Sequence, residues 1–150
     1  MNILFVCTGN TCRSPIAEAI FNSKCDMADI KSSSAGISVV HNSIISEYSS
    51  QIILDKLSIN IKDRKAIQLT EDLIEGFDLI LTMTEYMKNI LHSNLPKFSY
   101  KIYSLGGFLG LKEDVVDPYG GNILHYTATY SDLENKIDLL LKKLKEDISI

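Results

Sequence analysis

A cysteine stands at the end of the first apolar run of this chain, and five residues separate it from an arginine: Ile3-Leu4-Phe5-Val6 leads into Cys7-Thr8-Gly9-Asn10-Thr11-Cys12-Arg13-Ser14-Pro15. These residue types in this order suit one chemistry. A tight loop between a buried strand and a helix start gathers backbone N–H groups that point the same way. The first turn of the helix adds unpaired donors and the positive end of its dipole. Such a cradle holds an anion, and Thr8, Gly9, Asn10, Thr11, Cys12, Arg13 and Ser14 are its phosphate-binding set. A cysteine at its floor is favoured as the thiolate, the nucleophilic form. Arg13 offers a planar fork that takes two phosphoryl oxygens at once, which a lysine cannot do. Ser14 lies close enough in sequence to donate to the sulfur.

Transfer of a phosphoryl group to Cys7 needs an acid for the leaving group, carried on a loop that can reach the cradle. The stretch Asp114–Asn122, centred on Asp117-Pro118-Tyr119-Gly120-Gly121, has turn chemistry throughout and supplies one. Asp117 is the candidate and Asp114 the rival, and spacing alone does not separate them. A lone cysteine and arginine at this spacing occur by chance in many chains, and Asp-Pro pairs are common turn formers. Here strand context precedes the motif, helix context follows it, and Ser-Pro marks the junction. A core cysteine followed by a surface arginine needs none of these. The Gly-rich triphosphate loop that ends in Gly-Lys-Ser/Thr is absent, which disfavours a nucleotide triphosphatase.

The elements that must hold this loop are legible as an alternation of strands and helices. Ile3–Val6 and Phe77–Met83 are almost wholly apolar, as central parallel strands are, and Ile30–Gly36 and Lys101–Leu105 complete four. Helices are expected from a Ser14 cap with Pro15 at the first position to Lys24, over Ser43–Leu57, after Thr70, and from a Thr84 cap to His92. Ile45, Tyr48, Ile52 and Ile53 are the inward positions of the second. Lys62-Asp63-Arg64-Lys65 reads as a solvated connector, and Gly106, Gly107 and Gly110 as breakers. Ser131-Asp132-Leu133-Glu134 reads as a capping box opening the last helix, striped by Leu133, Ile137, Leu140, Leu141, Leu144 and Ile148. The pattern predicts an α/β, three-layer fold: a four-stranded parallel sheet with helices on both faces, in a single domain over 1–150. Ligands bind at the carboxyl ends of strands in such sheets, where Cys7 stands.

Composition bounds the rest. The 150 residues carry a net charge of −4, so no basic field invites nucleic acid, and a bound anion must be held by local donors. No run reaches the roughly 20 apolar residues of a membrane span, and the N-terminus lacks the flanks of a secretory signal, so a cytoplasmic protein is expected. Cys7, Cys12 and Cys25 leave one thiol over from any pairing, which favours reduced cysteines. His41, His92 and His125 are scattered, and neither they nor a second cysteine pair form a metal set, so no metal or other cofactor is expected.

Val6–Pro15, Ser34-Ala35-Gly36 and Asp117-Pro118-Tyr119-Gly120 together resemble the low-molecular-weight protein tyrosine phosphatase family, over essentially the full chain. The resemblance implies that Cys7 is the nucleophile, Arg13 the phosphate ligand and Asp117 the general acid. It further implies that Ser14 stabilises the thiolate and that Asn10 with Ser34 supports the loop. Cys12 corresponds to a second loop cysteine that can pair reversibly with the nucleophile. Thr11 and Asp-Pro-Tyr-Gly-Gly are similar to the branch of bacterial protein arginine phosphatases, whereas tyrosine-directed members usually carry a bulky aliphatic residue at the position of Thr11. A threonine is narrower and can accept a guanidinium N–H, so Thr11 and Tyr119 are the selectivity residues. Tyr119 can stack on a ring or a guanidinium. Tyrosine-type members often carry a histidine near Arg64, and its role is unassigned here. The implied partners are phosphorylated proteins, with phosphoarginine first and phosphotyrosine second, and a monomer is the default expectation. Arsenate reduction on this scaffold needs further cysteines after Cys25, and none follows. A non-catalytic phosphate-binding module needs neither Cys7 nor Asp117.

Overall fold

Every residue of the first strand from Ile3 to Cys7 is buried, because the strand lies inside the sheet and has a neighbour on each side. The computed structural model describes residues 1–148. In it β1 (Asn2–Cys7) pairs in parallel with β2 (Lys31–Gly36) and with β3 (Leu79–Thr82), and β3 pairs in parallel with β4 (Ile102–Ser104), giving the order β2-β1-β3-β4. Alternate residues of a strand face opposite sides. Ile3 and Phe5 therefore join one core, filled by α1 (Arg13–Lys24), α2 (Glu47–Leu57) and α6 (Ile123–Ile148). Leu4 and Val6 join the other, closed by Ile74 of α3 (Glu71–Glu75), Leu91 of α4 (Glu85–Asn94) and Phe98. The three-layer α/β fold with a four-stranded parallel sheet is the one the sequence predicts.

This topology places the site. The chain leaves β1 for β2 on one side and later crosses to β3 on the other. Connections therefore diverge at the carboxyl end of β1, the crevice where parallel sheets bind ligands. Cys7 is the last residue of that strand.

Five local expectations are corrected. Ser14 does not cap α1: Cys12 holds the cap position without a side-chain bond, and Ser14 is the buried second residue of the helix. Its hydroxyl faces Cys7 instead. The second helix starts at Glu47, capped by Ser46, because residues 43–46 are drawn into an antiparallel bridge. There the Ile45 N–H donates to the Arg64 carbonyl at 2.9 Å and the Ala66 N–H to that of Ser43 at 3.0 Å. Tyr48 then stays 39% exposed rather than facing inward.

Gly106 and Gly107 do not end regular structure. They sit in the short α5 (Leu105–Phe108), where Ser104 Oγ accepts from the Gly107 N–H at 3.0 Å. Finally, α6 opens eight residues before Ser131, at Ile123, with Asn122 Oδ1 accepting from the N–H groups of Leu124 (3.0 Å) and His125 (3.3 Å). Tyr126 and Tyr130 extend the buried stripe of Leu133, Ile137, Leu140 and Leu144 at helical spacing, and this outweighs a polar tetrad. Leu141 is partly buried. The Ile148 side chain lies outside the described residues.

Candidate active site

Cys7 ends β1 and Arg13 begins α1, so five residues must turn the chain over the cysteine sulfur. Asn10 makes the turn with φ 57°, a left-handed conformation that asparagine tolerates better than most residues. Its N–H donates to Cys7 Sγ at 3.2 Å, and Ser14 Oγ lies 2.8 Å from the same sulfur. The carbonyls of Cys7, Thr8 and Thr11 accept bonds from Ile37, Ser38 and Ser46, each at 2.9 Å. They are thereby turned outward, the arrangement an anion requires.

The Asn10 side chain is fully buried and fully bonded. Its Oδ1 accepts from the Ile67 N–H (2.8 Å) and from Arg64 (3.1 Å), and its Nδ2 donates to Ser14 Oγ (2.8 Å) and Ser34 Oγ (3.0 Å). Asn10 and Ser34 are thus directly hydrogen-bonded to each other.

Gly36, where β2 ends, is held against the same loop. A methyl group there would stand 2.7 Å from the Thr8 carbonyl and 2.9 Å from the Asn10 nitrogen, so only glycine allows the approach. Gly36→Ala is expected to displace the loop and lower kcat/KM about tenfold or more, since sub-ångström misplacement is costly at a reacting centre. Activity assays with circular dichroism check this. A folded variant with parent activity would show that the contact is slack.

Arg13 is 4% exposed, and its guanidinium crosses to the loop before α6. Nη1 donates to the Val115 carbonyl at 2.9 Å, and Nη2 lies 3.7 Å from Asp117 Oδ2. The Asp117 carboxylate is half exposed, and its Oδ1 accepts from the Tyr119 N–H at 3.0 Å in an Asx turn. Asp114 is not at the cradle. Its Oδ1 accepts from the Glu85 N–H at 2.9 Å, at the start of α4. Geometry thus brings Asp117, and not its rival, to Arg13.

Above the sulfur opens a cleft of ≈ 830 Å³ lined by Cys7, Thr8, Gly9, Thr11, Cys12, Arg13 and Asp117, with Tyr48, Tyr119 and Tyr126 among its walls. Tyr119 is 80% exposed and stands free at the entrance. The rings of Tyr48 and Tyr126 lie 5.2 Å apart. The Tyr126 hydroxyl is 3.4 Å from Cys12 Sγ, and burial, with the Cys12 hydrogen bond second, pushes its pKa up to about 12. Tyr126 therefore stays neutral at working pH. Cys7, Cys12 and Cys25 are free thiols. A second cleft of ≈ 630 Å³ lies at the amino ends of the strands, between Asn2, Cys25 and Phe77, far from this chemistry. Among the described residues no cluster of three or more metal-ligating side chains occurs, and no helix is long and apolar enough to cross a membrane.

Sequence reasoning missed Tyr126, Arg64 and Glu18. The first was detectable from its spacing to Tyr130 and Leu133. The other two carry no short-range signal, since they meet only when α1 and the 60s segment converge on Ser34.

Known proteins resemble this chain in sequence and fold. The family described as low molecular weight phosphotyrosine protein phosphatase matches residues 2–150. A protein-arginine-phosphatase of Bacillus subtilis (strain 168) is 37% identical over 98% of this chain and 99% of its own. A low molecular weight protein-tyrosine-phosphatase PtpB of Staphylococcus haemolyticus (strain JCSC1435) is also 37% identical, over 89% of this chain and 92% of its own. A solved structure of a mutant YwlE arginine phosphatase with a phosphorylated active-site serine superposes with a TM-score of 0.92 at 36% identity, covering 99% of both chains. With a full-length family match, relatives well above 30% identity and the same fold, the chain belongs to the low molecular weight phosphotyrosine protein phosphatase family.

Proposed function

We propose that this chain is a protein phosphatase working in two steps through Cys7, Arg13 and Asp117. The Cys7 thiolate attacks phosphorus while protonated Asp117 gives its proton to the departing atom, so a P–S bond forms as the bond to the leaving group breaks. The Asp117 carboxylate then takes a proton from water, which attacks the phosphocysteine and releases phosphate and the thiolate. Arg13 and the loop N–H groups hold the phosphoryl oxygens through both steps. The observation that carries this reading is the sulfur itself, set between the Asn10 N–H and Ser14 Oγ with the Arg13–Asp117 pair on its wall. The phosphorylated active-site serine of the YwlE mutant supports a phosphoenzyme route.

Phosphoarginine is the preferred substrate in this reading and phosphotyrosine the second. Overall identity does not choose, since an arginine and a tyrosine phosphatase are each 37% identical to the chain. Thr11 does choose. It lines the cleft, and its hydroxyl can accept a guanidinium N–H that an aliphatic side chain would leave unbonded. A polar group that loses water on binding and is left unbonded costs enough to discriminate about tenfold. Kinetics on matched phosphoarginine and phosphotyrosine peptides test this, in the parent and in Thr11→Ile. The kcat/KM ratio is expected to favour phosphoarginine and to fall about tenfold or more in the variant. An unchanged ratio would remove Thr11 from substrate choice.

A further inference from the structure

Arg64 belongs to the charged stretch Lys62-Asp63-Arg64-Lys65, yet its side chain is only 14% exposed and turns inward. Nη2 lies 3.3 Å from Glu18 Oε1 and donates to Ser34 Oγ at 2.8 Å, while Nη1 donates to Asn10 Oδ1 at 3.1 Å. Ser34 in turn donates to Glu18 Oε1 at 2.6 Å. Arg64, Glu18 and Ser34 do not line the cleft. Whatever they do for the reaction they do through another residue.

We infer that Arg64, held by Glu18, is a positioning residue that sets the direction of the hydrogen-bond chain Asn10–Ser14–Cys7, so that the chain ends by donating to the sulfur. The inference rests on Cys7 being the nucleophile, as proposed above. A guanidinium has donors only. With the Ile67 N–H at 2.8 Å, it occupies both lone pairs of the Asn10 atom it meets and makes that atom the oxygen. The amide nitrogen must then face Ser14 and Ser34. Ser14 Oγ accepts from Asn10 and keeps its own hydrogen for its other partner, Cys7 Sγ, at 2.8 Å.

Donation to the sulfur favours thiolate over thiol. Were the Asn10 amide reversed, the Ser14 hydrogen would turn to the Asn10 oxygen. Ser14 would then accept from an S–H, and the thiol would be favoured. Two hydrogen bonds at Asn10 thus set the direction of a hydrogen bond at an atom that Arg64 never touches.

The same logic saturates the surroundings. Ser34 accepts from Asn10 and Arg64 and gives its hydrogen to Glu18. Glu18 keeps the inward cation from being unpaired.

The test reads the sulfur and not turnover. Alkylation of Cys7 by iodoacetamide is followed by mass spectrometry of the Cys7 peptide between about pH 5 and pH 9, where thiolate fraction controls the rate. Arg64→Met is expected to react several-fold more slowly toward the acid end of that range and to converge on the parent at high pH, the signature of changed protonation rather than of access. Arg64→Lys keeps a donor for Asn10 and restores most of the rate at low pH. Arg64→Gln keeps a neutral donor and falls between, and it serves if the methionine variant does not fold. Rate profiles in Arg64→Met or Arg64→Gln that superimpose on the parent overturn the inference, even where stability has fallen. Because alkylation needs no substrate, the outcome is independent of whether the chain hydrolyses phosphoarginine or phosphotyrosine.

Discussion

Replacing Cys7 with serine lowers kcat/KM on phosphopeptides by on the order of 10⁴-fold or more, while phosphate still binds. The size of the effect follows from what the loop is built to hold. At the sulfur, the Asn10 N–H donates at 3.2 Å and Ser14 Oγ lies at 2.8 Å, a setting that suits an anion. A serine hydroxyl keeps its proton in that setting, and no base among the described residues stands beside position 7 to remove it. Arg13 and the loop N–H groups are untouched, so the oxyanion cradle still binds phosphate. A single slow phosphorylation of the introduced serine is compatible with the scheme, because an alkoxide leaves far less readily than a thiolate and turnover stops there. Steady-state assays with calorimetric phosphate titration separate the two effects. Turnover within tenfold of the parent would place the nucleophile elsewhere.

Asp117→Asn has the next largest effect, and it depends on the leaving group. Amide in place of carboxyl removes the proton that a poor leaving group needs, so turnover of phosphoarginine or phosphotyrosine peptides falls by about 10²–10⁴-fold. An aryl phosphate such as p-nitrophenyl phosphate departs without help, so its first step is nearly spared. The Asx turn of Asp117 Oδ1 with the Tyr119 N–H survives, since an amide oxygen accepts as well, and the loop keeps its place. Asp114→Asn is the control. Asp114 bonds the Glu85 N–H, and its loss loosens the start of α4 with little effect on leaving-group dependence. Equal losses on both substrate types in the first step, read as kcat/KM or as the burst rate in Asp117→Asn, would mean that Asp117 only positions Arg13.

The sheet and its motif were legible because both are written in short-range patterns. The apolar runs of β1 and β3 predict central strands, and a cysteine ending one of them falls where the topology opens a crevice. Cys7 and Arg13 emerge as candidates from the motif that follows, with Asp117 and Asp114 as rival acids on a later turn. What was not legible is long-range. Ser14 looks like a helix cap until the sulfur beside it is seen, and Arg64 looks like a solvated cation until Ser34, Glu18 and Asn10 close around it. The choice between Asp114 and Asp117 needed the reach of Arg13 across to the loop. Ser131 misled because a capping tetrad is a local signal, whereas the stripe from Tyr126 to Leu144 is decided by burial against α1 and α2.

The Arg64 inference and the two large effects meet at one atom. If Arg64 orders Asn10, Asn10 orders Ser14 and Ser14 donates to Cys7, then the loop is a device for presenting a thiolate to phosphorus. Trapping the product of that encounter is the most direct measurement. In Asp117→Asn, p-nitrophenyl phosphate should still phosphorylate Cys7, and hydrolysis should stall for want of a base. A burst of p-nitrophenolate close to one equivalent per site is expected, with an acid-quenched phosphopeptide carrying an S–P bond at Cys7. A burst without covalent phosphate, or phosphate on any residue but Cys7, would contradict the scheme.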